Sequence, residues 1–221
     1  HTIALAQQQR HLPTYRDVLS DIERRADSWL CSIALTQDDY LAAQRYAQAG
    51  LTLCRSSGRV TGEIACLTDL FDIARIVGDY ATARRECERA LQLARQVGFR
   101  WGEAGALWGL GDTLRLSGEY AEAARLLDAA RHHFRAMGQQ PTECEIVSDQ
   151  GRLQLYLGDY AAAALYCAEA DAILQTLDYS AWETFRWLLP RALLAHATGH
   201  PQPALTYAER AVQMAQELYG R

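Results

Sequence analysis

Apolar residues recur along this chain at helical spacing, with polar residues between them. No stretch keeps the apolar–polar alternation of a strand, and residues that favour helices are abundant. The pattern predicts first helices over about 62–76, 102–116, 142–156 and 181–197, and second helices over about 80–96, 120–136, 160–176 and 203–218. Earlier helices are expected from Thr14 to about Leu35 and from Tyr40 to about Arg55.

Glycines interrupt this pattern at a fixed interval. They stand at positions 58, 78, 98, 118, 138 and 158, where a left-handed residue is expected to end each helix. The blocks 78–81, 118–121 and 158–161 read Gly-Asp-Tyr-Ala, Gly-Glu-Tyr-Ala and Gly-Asp-Tyr-Ala, so the full period is 40 residues. Connections this short make successive helices antiparallel neighbours, and such a period is typical of a stacked-repeat solenoid.

The period predicts one solenoid domain over residues 1–221. Its repeats are 21–60, 61–100, 101–140, 141–180 and 181–221. Residues 1–20 begin in mid-pattern and are expected to be the remnant of a preceding repeat or an N-terminal helix. Because the chain begins with His1, we expect it to be a piece of a longer protein.

Two kinds of column recur at 40-residue spacing. Small residues form the first kind, and they let crossing helices approach closely; they are Ala43, Ala83, Ala123 and Ala163, and Ala90, Ala130 and Ala170. Carboxylates near the starts of first helices form the second; they are Glu23, Glu63, Glu103, Glu143 and Glu183. We expect these carboxylates to stabilise the helix N-termini.

Composition narrows the classes of function. The net charge is −5, whereas a domain that grips a phosphate backbone usually has a basic face, so we expect no direct contact with nucleic acid. No apolar run is long enough to span a membrane. All 22 basic residues are Arg and the chain has neither Lys nor Asn, which suggests a GC-rich bacterial genome.

The chain offers no recognisable site for a metal, a cofactor or a reaction. Its six cysteines form no CxxC pair and favour buried, reduced thiols in a cytoplasmic protein. No GxSxG, HExxH or phosphate-binding loop is present, and His132 and His133 point in different directions on one helix. We therefore expect no cofactor, no metal and no catalysis.

The residues Leu110, Gly111, Gly118, Tyr120, Ala123 and Ala130 match the tetratricopeptide repeat (TPR) pattern in order and spacing. The resemblance covers nearly the whole chain, although the 40-residue period exceeds the usual length of about 34. It implies an all-α, right-handed superhelix of antiparallel helix pairs. The sequence of residues 96–111 resembles the long TPR-like repeats of bacterial MalT-like and LuxR-type ATP-binding transcription regulators.

In TPR proteins the first helix of each pair lines the concave groove, and this implies where a partner binds. The groove candidates here are Asp72, Arg75, Trp108, Asp112, Arg115, Asp149, Arg152 and Tyr156. Acidic and guanidinium groups beside Trp108 suit a polar ligand. The alternative is an Arg–Asp ladder that only solvates the surface.

The resulting hypothesis is a cytoplasmic, non-catalytic module that binds a protein, a peptide or a small effector, as the sensor domain of a bacterial transcription regulator in signal transduction. A general protein-interaction scaffold and an accessory domain of an enzyme are the alternatives, and a homodimer through the solenoid ends is a further candidate. Gln150 and Gln154 stand in columns that hold leucine or alanine elsewhere. Since a buried glutamine needs hydrogen-bond partners, they mark a local reshaping or a site.

Overall fold

The computed structural model describes the backbone of residues 15–177 and 181–219, and the side chains of 26–177 and 187–217. The helices of the described residues are α1 Tyr15–Thr36, α2 Tyr40–Ser56, α3 Val60–Ile76, α4 Tyr80–Val97, α5 Arg100–Leu116, α6 Tyr120–Ala136, α7 Gln140–Leu157, α8 Tyr160–Gln175, α9 Ala181–Ala197 and α10 Pro201–Tyr219. These bounds lie within about two residues of the predicted ones. Of the predicted segment over 1–20, residues 1–14 lie outside the described residues and residues 15–20 belong to α1.

Left-handed residues end the helices, as the glycine spacing predicts. Gly58, Gly78, Gly98, Gly118, Gly138, Gly158 and Gly199 all have φ between 66° and 87°. Asp38 takes this place between α1 and α2 with a φ of 57°, and its carboxylate accepts a 2.8 Å hydrogen bond from the Tyr40 hydroxyl. Aspartate tolerates this conformation better than most side chains, so the turn keeps its geometry without glycine.

The residue before a second helix caps the N-terminus of that helix in three of the repeats. The carboxylates of Asp39, Asp79 and Asp159 accept hydrogen bonds of 2.9–3.0 Å from the backbone N–H three residues further on. Each bond satisfies one of the free donors at the helix N-terminus. Glu119 holds the equivalent position before α6 and makes no such bond.

The molecule divides into two compact units between Ala106 and Leu107, within α5, and each unit is described by itself. In unit 1, α1 packs on α2, α2 on α3 and α3 on α4. Ala43 and Ala83 are fully buried there, as expected for small residues where helices cross, and Leu67 is fully buried as well.

Unit 2 repeats this packing, with α6 on α7, α7 on α8 and α9 on α10. Its alanine columns are also fully buried, and Phe134, Leu127, Ile146 and Val147 supply the bulk of the core. All six cysteines of the chain are buried, and none forms a disulfide bond within the described residues. The prediction of a single domain over both units remains a prediction.

The described carboxylates of the glutamate column make contacts that the sequence analysis did not anticipate. Glu63, Glu103 and Glu143 lie in the first turns of α3, α5 and α7, as expected for helix N-termini. Each also accepts a hydrogen bond from an arginine eight residues earlier. The pairs are Arg55–Glu63 at 2.9 Å, Arg95–Glu103 at 2.9 Å and Arg135–Glu143 at 2.7 Å. These three pairs therefore connect the ends of α2, α4 and α6 to the starts of α3, α5 and α7.

No described helix is long and apolar enough to cross a membrane.

Candidate functional site

Six of the eight predicted groove residues lie in unit 2, on α5 and α7. Trp108, Asp112 and Arg115 follow one face of α5 at intervals of four and three residues. Asp149, Arg152 and Tyr156 do the same on α7, at intervals of three and four. Contacts between the two helices join these side chains into one group, which we call the Trp108 cluster.

Asp149 is the centre of the Trp108 cluster. Its side chain is only 5% exposed. One carboxylate oxygen accepts a 2.9 Å hydrogen bond from the indole N–H of Trp108 on the neighbouring helix. The other accepts a 3.2 Å bond from Arg152, three residues along the same helix. A buried carboxylate needs such donors, so Asp149 fixes both Trp108 and Arg152 in place.

Arg115 is the most deeply buried charge of the cluster, with a side chain 1% exposed. Its Nε donates a 3.0 Å hydrogen bond to Asp112, and its Nη2 also contacts that carboxylate. Burial alone lowers the pKa of Arg115, but the charges of Asp112 and Asp149 outweigh it and the pKa is raised. The field at Arg115 is therefore dominated by negative charge.

Tyr156 lies over this buried guanidinium. The Cζ atom of Arg115 is 5.6 Å from the centroid of the Tyr156 ring. Tyr120, at the start of α6, stacks on Tyr156 with centroids 6.1 Å apart and planes 6° from parallel. Tyr156 is nevertheless 54% exposed, so the cluster presents an aromatic edge to solvent. Trp108 makes an edge-on contact with Phe134, with centroids 6.3 Å apart.

Two guanidinium nitrogens of the cluster have no acceptor among the described residues. They are Nη1 of Arg115 and Nε of Arg152, and both are buried. A buried donor without an acceptor costs roughly 1–3 kcal/mol. Asp112 and Asp149 therefore occupy only part of the donor capacity of these two arginines.

The other two predicted residues, Asp72 and Arg75, form a pair on α3 in unit 1. Arg75 donates a 3.0 Å hydrogen bond to Asp72. They stand 40 residues before Asp112 and Arg115, but the side chains of Asp72 and Arg75 are 39% and 27% exposed.

Gln150 on α7 is 2% exposed, and its hydrogen bonds are made within the chain. Its amide donates a 2.5 Å bond to Asp128 on α6, and its oxygen accepts a 3.4 Å bond from Arg131. Arg131 also pairs with Glu169 on α8. This glutamine is thus part of a polar contact between three helices, a local reshaping of the repeat. Gln154 is partly buried.

Tyr120 was not among the predicted site residues. It recurs at 40-residue spacing, as a scaffold residue does, whereas its stacking partner Tyr156 does not. The sequence analysis also missed Asp128 and Arg131 as partners of Gln150. The available signal was the polar residue at a core position, which requires a donor and an acceptor from a neighbouring helix.

Within the ranges 26–177 and 187–217, no group of three or more His, Cys, Asp or Glu side chains is arranged to hold a metal ion.

No protein-family model matches the chain, and no curated protein sequence matches it. Solved structures do. BtubC (BKLC) from P. vanneervenii is 16% identical with a TM-score of 0.74, and the match covers 97% of this chain and 88% of that chain. The structure of a candidate kinesin light chain from Podosopora anserina, which has nearly identical TPR-like repeats, is also similar. Its sequence is 14% identical to this chain with a TM-score of 0.64, and the match covers 88% of this chain and 95% of that chain.

A third similar structure is that of a Rap protein complexed with Competence and Sporulation Factor. It is 14% identical with a TM-score of 0.67, and the match covers 89% of this chain and 65% of that chain. Likeness at such low identity shows the fold alone. The predicted all-α, TPR-like solenoid fold is confirmed.

Proposed function

We propose that the chain is a non-catalytic interaction module that binds a peptide or protein segment at the Trp108 cluster. The observation that carries the proposal is the pair of buried guanidinium N–H groups, on Arg115 and Arg152, that lack acceptors within the described residues. They belong to two neighbouring helices and share Asp149 as a neighbour. A ligand that supplies acceptors would remove the cost of leaving these donors unpaired.

The charges of the cluster favour a neutral acceptor. Arg115 and Arg152 carry two positive charges, and Asp112 and Asp149 carry two negative ones, so the four groups cancel. The raised pKa of Arg115 reflects surroundings that are already negative. A carboxylate would gain no net attraction from four groups that cancel and would lose its hydration, whereas burying the neutral carbonyl oxygens of a peptide backbone costs less. The cluster therefore suits the main chain of an extended segment better than an acidic side chain.

Tyr156 lies over one of the two arginines, Arg115, and so controls access to that guanidinium. Because its ring lies over Arg115 and is half exposed, a rotation about its side-chain bonds uncovers the guanidinium. The rotation breaks the stack with Tyr120, which costs on the order of 1 kcal/mol. That cost is small beside the gain from satisfying two buried donors.

The structural comparisons support a binding role. The Rap protein of similar fold is complexed with Competence and Sporulation Factor. A helical repeat that presents a row of side chains on successive first helices offers an extended surface for such partners.

The test is selection of peptides from a random library on the full chain, followed by fluorescence polarisation of the selected peptides. We expect Arg152→Gln to weaken binding about tenfold, because one hydrogen bond to a charged donor contributes roughly 1.5 kcal/mol. Arg125→Gln is the matched control, since Arg125 is a 75% exposed arginine on α6, away from the cluster. Equal binding by both variants, or a library without binders, contradicts the proposal.

The sensor domain of a bacterial transcription regulator is the narrower version of this function. It is supported by the 40-residue repeat and by the sequence of residues 96–111, which resembles the repeats of MalT-like and LuxR-type regulators. A parent gene that also encodes a nucleotide-binding domain and a DNA-binding domain supports this version. A parent gene without either favours the general scaffold.

A further inference from the structure

A groove runs between the second helices of unit 1 and includes no residue of the Trp108 cluster. The groove has a volume of about 290 Å³. Its floor is the apolar face of α3 and its walls are α2 and α4. The lining side chains include Leu41, Gln44, Gln48, Leu70, Ile73 and Val77. We call this feature the α2–α4 groove.

The groove is open because α2 and α4 each pack on α3 and, within the described residues, not on each other. Two apolar side chains at its edge are exposed to solvent, Leu41 by 76% and Val77 by 53%. A second depression of about 650 Å³ shares Leu41, Gln44 and Gln48 and extends to Arg45. An apolar floor with polar walls is the form of groove that takes the apolar face of a helix.

Most charged groups around the groove are already engaged. Asp39 and Asp79 each cap a helix, at 2.9 and 3.0 Å, and Glu86 accepts hydrogen bonds from Arg85. Arg45 is the exception, because its exposed guanidinium has no partner in the described part of the chain. The charge that remains available to a binding partner at the groove is therefore positive.

The last described helix carries a surface that complements this groove. α10 packs on α9, and its outer side bears Leu205 and Val212, which are 50% and 56% exposed. Ala208 and Glu209 lie between them on the same face, at the three- and four-residue intervals of a helical stripe. Glu209 is exposed and, within the described residues, has no partner. We call this stripe the α10 face.

We propose that the α2–α4 groove of one molecule binds the α10 face of a second copy of this chain. Leu205 and Val212 enter the apolar groove beside Leu41 and Val77, and Glu209 pairs with Arg45. This contact is independent of the Trp108 cluster and of whatever that cluster binds.

The two surfaces agree in length as well as in chemistry. Leu41 and Gln48 are seven residues apart on α2, as are Leu205 and Val212 on α10. Both stripes are therefore about 10 Å long. The volume of about 290 Å³ accommodates a few side chains and not a whole helix, as expected for two apolar anchors. Burying them removes four exposed apolar residues from water.

The test is sedimentation equilibrium of the full chain from about 1 to 500 µM, because self-association depends on concentration. We expect the average mass to rise with concentration. Leu41→Arg and Val212→Arg should each weaken association at least about tenfold, since each places a charge in an apolar contact. Circular dichroism spectra of these surface variants should match that of the unchanged chain.

Charge exchange tests the pairing itself. Arg45→Glu and Glu209→Arg should each weaken association several-fold, and an equimolar mixture of the two variants should recover it. Arg125→Glu, at the register of Arg45 two periods later, and Glu217→Arg, off the α10 face, are matched controls expected to change nothing. A chain that stays monomeric throughout, association insensitive to Leu41→Arg and Val212→Arg, or a mixture without recovery overturns the proposal.

Discussion

The same two residues, an aspartate and an arginine three positions apart, occur at equivalent places in unit 1 and unit 2. Asp72 and Arg75 form a surface pair, with side chains 39% and 27% exposed. Asp112 and Arg115 form a buried pair, with side chains 11% and 1% exposed. The guanidinium of the second pair lies 5.6 Å from the centroid of the Tyr156 ring. The repeat fixes the spacing of such a pair, and the side chains around it decide what the pair contributes.

This difference changes both stability and function. A surface ion pair contributes about 0–1 kcal/mol, because water solvates each partner when the other is lost. A buried arginine that loses its carboxylate has no such substitute. The buried pair is also the one whose guanidinium keeps a donor without an acceptor within the described residues. Equivalent positions in a repeat can thus be scaffold in one unit and a candidate site in the other.

The largest expected effect comes from removing the two carboxylates in turn. Asp112→Ala leaves the Arg115 charge buried with only Asp149 nearby, so we expect the free energy of unfolding to fall by about 3 kcal/mol. Asp72→Ala should lower it by less than about 1 kcal/mol. Urea denaturation of both variants measures the difference. Similar losses in the two variants would show that burial does not separate the pairs.

The next comparison exchanges the polar and apolar residues of one column. Leu70 in unit 1 is buried on the floor of the α2–α4 groove, whereas Gln150 in unit 2 is bonded to Asp128 and Arg131. Leu70→Gln should lower the free energy of unfolding by about 2–3 kcal/mol, because a buried apolar side chain is replaced by an amide that loses hydration. Gln150→Leu should change it by less than about 1 kcal/mol, since Asp128 and Arg131 remain partly exposed. Thermal unfolding of the two variants checks this order.

A smaller difference is expected in alkaline solution. Burial raises the pKa of the Cys144 thiol in unit 2 from 9.0 to about 12, and that of Cys31 in unit 1 to about 11. The folded chain holds these protons while the unfolded chain loses them above pH 9.0. Each thiol therefore contributes stability that is complete below pH 9.0 and decreases above it.

Variants isolate this contribution from other groups that titrate in alkali. Between pH 9 and about 10.5 the loss for one thiol approaches about 2 kcal/mol. Cys144→Val should show a shallower decrease of the unfolding free energy over that range than the unchanged chain. Cys31→Val should depart from the unchanged chain in the same direction. A decrease that is the same with and without the thiols contradicts the assignment.

The smallest effect concerns the turn residues. Gly78→Asp places a side chain at a φ of 84° and should lower the free energy of unfolding by about 1 kcal/mol. Asp38→Gly relieves the strain at a φ of 57° but removes the hydrogen bond from Tyr40, so we expect a change within about 0.5 kcal/mol. A destabilising Asp38→Gly would show that the Tyr40 hydroxyl matters more than the backbone.

The helices were predictable from the sequence because local signals set their ends. A left-handed residue after a helix and an aspartate before the next depend only on neighbours in the chain, as at Gly78 and Asp79. The buried alanine columns followed from the period. These turn residues and alanines recur in successive repeats, so the helix boundaries predicted in one repeat support those predicted in the next.

The Trp108 cluster was predictable as a set of residues and not as an arrangement. Its members came from the face of the first helices, but the hydrogen bond from Trp108 to Asp149 joins residues 41 positions apart, outside the register of the repeat. The stack of Tyr120 on Tyr156 likewise breaks the period. Contacts of this kind depend on the conformations that long side chains adopt between neighbouring helices. The spacing of residues along the chain does not encode those conformations.

The arginine–glutamate pairs have a consequence for how such a chain can grow or shrink. The repeats 21–60, 61–100 and 101–140 each carry a glutamate near the start and an arginine near the end, as with Glu63 and Arg95. Excision of residues 60–99 would bring Arg55 and Glu103 to the same eight-residue spacing that Arg55 and Glu63 have now. Every junction between repeats is thus interchangeable with every other that carries this pair. A gene that gains or loses one 40-residue copy keeps each remaining joint matched without a compensating mutation.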